Sequence, residues 1–287
     1  MRSSFTKLAG LVTFCLLTMA HSVWAADESG ATYGAGKNRF TLATGSPGEL
    51  GLLKLLAEDF ARKADAQMVW VKAGTGASLK LLQEKKVDMV MVHAPEQINK
   101  AVKEGWATGK TLIGSNEFYI VGPRNDPAQI AKAENAIDAY RRIAAAGANF
   151  VSRGDNSGTH QKEMQVWQKT GVQPGGAWYI VTKDFMTASL KRANVEKAYF
   201  MSDSSTWIME KGVAPDLQIL FRGDRALVNT YHALTAPPGT TPGRDTAEKF
   251  VAYVASSDGQ KIIAEYGKDK FGEGLYNDMQ YARRYDE

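Results

Sequence analysis

Short apolar runs alternate along the chain with stretches in which leucines, valines and aromatics recur every three or four residues. Phe40-Thr41-Leu42-Ala43 is β-prone, and a Gly/Ser/Pro segment follows it. Leu50, Leu53, Leu56 and Phe60, with Leu52 and Leu55, then return at helical spacing. The same layout repeats, with a strand over residues 68–71, a turn at Gly74-Thr75-Gly76, a helix over 77–84 and a further strand over 87–92. A third unit places a strand at 149–151 and a helix from Thr159 onward. Trp178-Tyr179-Ile180-Val181 reads as a strand, and Trp167, on the third helix, as a core residue. Three strand–turn–helix units predict an α/β protein with mostly parallel sheets. In such sheets ligands sit beyond the carboxyl ends of the strands, at the turns.

Two extended segments, residues 116–127 and 225–239, are β-prone and end in proline or glycine. If both are crossovers, lobe one comprises residues 38–117 plus 231–287, and lobe two residues 118–230. A two-lobed molecule joined by two extended crossovers closes around a ligand by hinge motion. Residues 26–37 are polar and rich in Gly and Ala, predicting a flexible lead into the fold.

The first 25 residues follow a different pattern. Arg2 and Lys7 precede an apolar stretch of residues 8–20, and Val23-Trp24-Ala25 supplies a short-residue exit. This is the secretory signal-peptide pattern, with an apolar part too short for a membrane span. The single cysteine, Cys15, lies within it. The mature chain would have no disulfide, no thiolate metal site and no cysteine nucleophile. The formal charge of +4 falls to +2 without Arg2 and Lys7. Such a small excess, without long basic runs, gives no footprint for nucleic acid. Four histidines without acidic or thiol companions at ligand spacing predict no metal-cation site.

All three turns are built from Gly, Ser and Thr. Helix N-termini carry unsatisfied N–H groups and a positive dipole end, so small hydroxyl residues there suit an anion. "VSRGDNSGTH", residues 151–160, adds Arg153, a cation with a fork that can bond two oxygens. Against this stands the bland reading, in which the small residues are helix caps and the arginine a surface charge. Ser157 and His160 also suggest a hydrolase, but no Gly-x-Ser-x-Gly elbow supports it. His93 ends a strand, where it can face the cleft or equally pack against Pro95 and hydrogen-bond its own loop. "GTGAS" lacks the full pattern of a nucleotide-phosphate loop.

The stretches "VDMVMVHAPE" (87–96), "EFYIVGPRNDPA" (117–128), "FVSRGDNSGTHQKE" (150–163), "WYI" (178–180) and "VNTYHALTAP" (228–237) resemble the periplasmic tungstate-binding proteins of ABC importers. The resemblance runs from Phe40 to Tyr276. It implies the two-lobed type II periplasmic-binding-protein fold, an oxyanion ligand, a membrane permease as partner, a monomer in the periplasm, no cofactor and no catalysis. The implied ligand-binding residues are Thr44 and Ser46 in the first turn, Ser78 in the second, and Arg153, Ser157 and Thr159 in the third. The first turn departs from the family pattern, with Ala43 and Gly45 at threonine positions and Glu49-Leu50 at an Asp-Ser position. Hydroxyl donors are thereby lost from one wall. Tungstate or molybdate is the ligand this predicts, with another oxyanion or a small carboxylate as the alternative.

Overall fold

The computed structural model describes residues 30–286. The predicted signal peptide, residues 1–25, lies outside them. Ten strands form one sheet: β1 (Thr32–Tyr33), β2 (Asn38–Thr44), β3 (Ala66–Lys72), β4 (Met89–Val92), β5 (Thr108–Pro123), β6 (Phe150–Ser152), β7 (Tyr179–Val181), β8 (Tyr199–Asp203), β9 (Leu217–Phe221) and β10 (Val228–Thr235). Their order is β1-β3-β2-β4-β10-β5-β8-β6-β7, with β9 also on β5. The predicted units supply the parallel pairs, β2 with β3 and β4, and β6 with β7 and β8. The middle of the sheet departs from expectation. β10 runs antiparallel to both β4 and β5, and β5 antiparallel to β8 and β9.

β5 is the long element, at 16 residues. Its first part, to Glu117, pairs with β10; from Phe118 it pairs with β8. It starts eight residues before the extended segment predicted at 116, because Thr108 and Lys110 to Gly114 are too polar and glycine-broken to read as strand. The predicted flexible lead is partly wrong as well. Within it, Thr32 and Tyr33 form the antiparallel edge strand on β3.

Helices cover both faces: α1 (Ser46–Glu49), α2 (Leu52–Ala64), α3 (Thr75–Gln83), α4 (Pro95–Lys103), α5 (Ala136–Ala146), α6 (Gly158–Thr170), α7 (Met186–Val195), α8 (Ser204–Glu210), α9 (Arg244–Val254) and α10 (Ser257–Glu265). The helix predicted from Leu50 is split from α1 by Gly51, whose φ of +88° is open to glycine at little cost. Four apolar clusters fill the layers. Phe40, Phe60 and Phe250 meet within 5.2–6.0 Å in one of them. Such ring pairs add about 0.5–1.5 kcal/mol beyond their burial. Trp167 is fully buried against Tyr140 and Phe150, as the pattern predicts. Along β5 the packing changes partners between Ile113, in the cluster around β2 and β3, and Phe118, in the cluster around α5 and α6. Leu227 and Tyr231 mark the same change beside β10. Among the described residues no helix is long and apolar enough to cross a membrane.

Candidate functional site

Three chain reversals, β2 to α1, β3 to α3 and β6 to α6, come together at one small pocket. It is lined by Gly45, Ser46, Glu49, Gly74, Thr75, His93, Arg153, Ser157, Phe185 and Tyr231, with Pro47 beside them. The cavity measures about 10 Å³. That is about the room of one water-sized sphere, so an oxyanion could enter only as the surrounding turns move apart.

Each reversal is held by its own bonds. Thr44 is fully buried at the end of β2, and its hydroxyl donates to Met91 O at 2.8 Å. Trp70 Nε1 donates to Thr44 O at 3.0 Å. The indole lies so close to Gly48 that a Cβ there would stand 2.3 Å from it. The main chain of α1 can therefore approach β3 only with glycine. Ser46 is left facing the pocket. In the second reversal, Ser78 is fully buried and donates its hydroxyl to Ala73 O at 3.1 Å. Thr75 Oγ1 accepts from His93 N at 3.4 Å.

The third reversal carries the cation. Arg153 is 5% exposed, its Nε donating to Asp184 O at 3.1 Å and its Nη2 to Asp155 Oδ2 at 2.5 Å. The Phe185 ring lies 5.8 Å from the guanidinium. Two guanidinium bonds thus fix the fork and leave Nη1 unclaimed by them. Gly154 and Asn156 both have positive φ, near +58°, which coils the loop back on itself. Ser157 caps α6, its Oγ accepting from His160 N at 3.3 Å. Its own N–H donates to Asp155 Oδ1 at 3.1 Å.

Of the six residues named from sequence, Ser46, Arg153 and Ser157 lie together on the lining. Thr44, Ser78 and Thr159 are buried beside it but are not part of the lining, and the first two spend their hydroxyls on backbone carbonyls. The Ser157–His160 nucleophile pair is not formed. His160 Nδ1 accepts from Asn156 N at 3.1 Å and so is turned to the loop backbone. Burial holds the His160 pKa below its usual range. His93, raised from sequence only as a cleft-facing possibility, lines the pocket. Burial pushes its pKa down to about 4, so the ring is neutral at pH 7. Sequence reasoning missed Thr75, Phe185 and Tyr231 as lining, whereas Glu49, noted in the first turn, lies on it. Thr75 could have been found as the first residue of a helix after Gly74; nothing local marks Phe185.

The first turns of α3 and α6 meet across the pocket. A Cβ on Gly76 would stand 2.7 Å from the Asn156 side chain, and one on Gly158 would stand 2.4 Å from Cε1 of His93. Two helix N-termini so placed put like partial charges face to face, an arrangement that an anion between them stabilises. At the rim, Lys72 pairs with Glu49 at 2.7 Å and lies 4.4 Å from the Phe185 ring. Among the described residues, no cluster of His, Cys, Asp and Glu could hold a metal ion. The site can bind a small anion; it lacks an assembled nucleophile and base.

Residues 27–258 match the family model of the PBP superfamily domain. The putative ABC transporter anion-binding protein of Haloferax volcanii is 33% identical over 86% of this chain and 75% of its own. The tungstate-binding protein of Peptoclostridium acidaminophilum is 30% identical over 81% of this chain and 82% of its own. Among solved structures, the tungstate ABC transporter protein of Geobacter sulfurreducens is 38% identical, with a TM-score of 0.73, over 81% of this chain and all of that one. The chain belongs to the PBP superfamily, with the type II periplasmic-binding-protein fold, in the family of these anion- and tungstate-binding proteins.

Proposed function

We propose that the protein is a periplasmic receptor that captures a tetrahedral oxyanion, tungstate or molybdate, and presents it to the permease of an ABC importer. The observation that carries this reading is the pocket itself. Arg153 and the N-terminal turns of α3 and α6 converge on one small space. Ser46, Arg153 and Ser157 hold the ligand directly. Thr44 and Ser78 act one step back, by fixing the reversals whose N–H groups face the anion, and Thr159 supplies its N–H and hydroxyl from the first turn of α6. The protein works as a monomer after export by its signal peptide, and binds without turnover.

A buried oxyanion needs a countercharge and paired oxygens. Losing the guanidinium removes charge-assisted bonds worth roughly 2–5 kcal/mol. Calorimetric titration of the ligand-free protein with tungstate, molybdate, sulfate and phosphate tests the reading. Tungstate or molybdate is expected to bind most tightly, and Arg153→Ala to weaken that binding at least about 30-fold. Tighter binding of phosphate would overturn the ligand, and near-native affinity in the variant would overturn the role of Arg153.

A further inference from the structure

A directed chain of polar groups, half-buried at His93 and buried beyond it, runs from the pocket across the two crossover strands. His93 Nδ1 lies 2.9 Å from Asn229 Oδ1. Asn229 Nδ2 donates to Asn116 Oδ1 at 2.7 Å, and these two residues face each other in the β10–β5 register. Asn116 Nδ2 donates to Ser205 Oγ at 2.9 Å and to Asp203 Oδ1 at 3.3 Å. Ser205 Oγ donates to Asp203 Oδ1 at 2.5 Å. Asp203 also accepts from Thr206 N and Thr206 Oγ1, so its carboxylate acts only as acceptor.

That acceptor end sets the direction of every bond. Turning the Asn116 amide over would point its oxygen at the carboxylate, and turning Asn229 alone would set like groups together. Asn229 therefore shows an oxygen to His93, and Nδ1 must carry the proton. Nε2 is then a bare lone pair. No protein group among the described residues hydrogen-bonds to it, and its ring lines the anion pocket.

A fully deprotonated oxyanion cannot share a bond with a bare lone pair. We infer that His93 is a further ligand contact, whose Nε2 takes up a proton as the anion enters, keeps it, and donates a hydrogen bond to an anion oxygen. This rests on the oxyanion-receptor reading. The step balances: a buffer acid loses one proton and becomes its conjugate base, and the Nε2–H bond forms. Empty, the ring is kept neutral by burial, which outweighs the Asn229 hydrogen bond and Asp203; Arg153 and Lys162 act in the same direction as burial. Tyr231 stacks on the ring at 4.8 Å, and Glu49 and Arg153 line the same pocket with their charges paired to Lys72 and Asp155. One negative charge about 4 Å away raises proton affinity roughly a thousandfold at a protein-like dielectric. Starting from a pKa of about 4, that brings protonation to neutral pH.

Calorimetry of tungstate binding at pH 7, in buffers of different ionisation enthalpy, counts the protons. Wild type is expected to take up between about half and one proton, with affinity rising up to about tenfold per pH unit from pH 8 to 6. His93→Gln should bring the count near zero, and His160→Gln should leave it unchanged. Imidazole ¹⁵N shifts of the wild-type protein, with and without tungstate, read Nε2 directly should the variant fail to fold. Tight binding without proton uptake, or uptake that persists in His93→Gln, overturns this inference alone. Absence of any oxyanion binding overturns the receptor reading and this inference with it.

Discussion

Glu163 sits on the inner side of α6, where its Oε1 accepts from Trp167 Nε1 at 3.2 Å and from the Tyr179 hydroxyl at 2.6 Å. Burial raises its pKa to about 7, against the two bonds that favour the carboxylate. A folded-state value above the unfolded one means that the native state holds the extra proton. This contribution is therefore full at acid pH and is lost as pH rises through about 7. His93, with its lowered value, works the other way below its unfolded pKa of 6.5, so the two separate only above that point. Between pH 6.5 and 8 unfolding free energy is expected to fall by about 1 kcal/mol from Glu163. Glu163→Gln, which keeps an oxygen for both donors, should flatten that slope in urea titrations; an unchanged slope would place the charge elsewhere. At this scale the sequence is legible where a contiguous motif brings its residues onto the pocket lining, as at Arg153 and Ser157. It is not legible where a hydroxyl has two possible uses. Thr44 and Ser78 look like anion donors until Met91 O and Ala73 O are seen to take them.

Among the elements, the repeated strand–turn–helix units stand out in the sequence because period and turn residues change together. β2, β3, β4 and β6 fall within a few residues of the predicted strands. The one-turn α1 does not stand out, since Ser-Pro-Gly-Glu offers no period to read. Nor does the antiparallel seam of β4, β10 and β5, which is set by pairing between residues more than a hundred positions apart. The fit of α6 against the strand end at His93 depends on Gly158, which a pattern reading takes only for a turn residue. A Cβ there would collide with the imidazole at 2.4 Å. Alanine is otherwise favoured over glycine in a helix by about 1 kcal/mol. Gly158→Ala is thus expected to leave the melting temperature of the unliganded protein within about 3 °C of wild type. It should weaken tungstate binding about tenfold or more, by the cost of overpacking. Unchanged affinity would mean that the helix starts do not need to meet for binding.

At the scale of the molecule, the pocket has no complete wall from either side of the β5–β10 crossovers. Ser46, Thr75 and His93 come from segments before β5, whereas Arg153, Ser157 and Phe185 come from segments between β5 and β10. The crossovers join the two groups, which pack largely into different apolar clusters, although Ile208 and Met209 of α8 pack into the cluster around β2 and β3. An anion touching both stabilises the arrangement in which Gly74 lies against Ser157 and Gly76 against Asn156. It does so by its difference in affinity between closed and open forms, and by nothing else. The radius of gyration from solution scattering is expected to fall when saturating tungstate is added. Amide exchange should slow along 117–124 and 227–237, where β5 and β10 carry the Asn116–Asn229 bond. The variants His93→Gln and Arg153→Ala, one from each side, should both reduce the extent of compaction at a fixed ligand concentration. Tight binding with unchanged scattering and unchanged exchange would instead make the pocket a preformed, rigid one. The close approach of α3 and α6 would then be a property of the empty protein, held across the cleft by contacts such as Gln165 Nε2 donating to Glu96 Oε1 at 3.3 Å and Lys72 Nζ over the Phe185 ring at 4.4 Å.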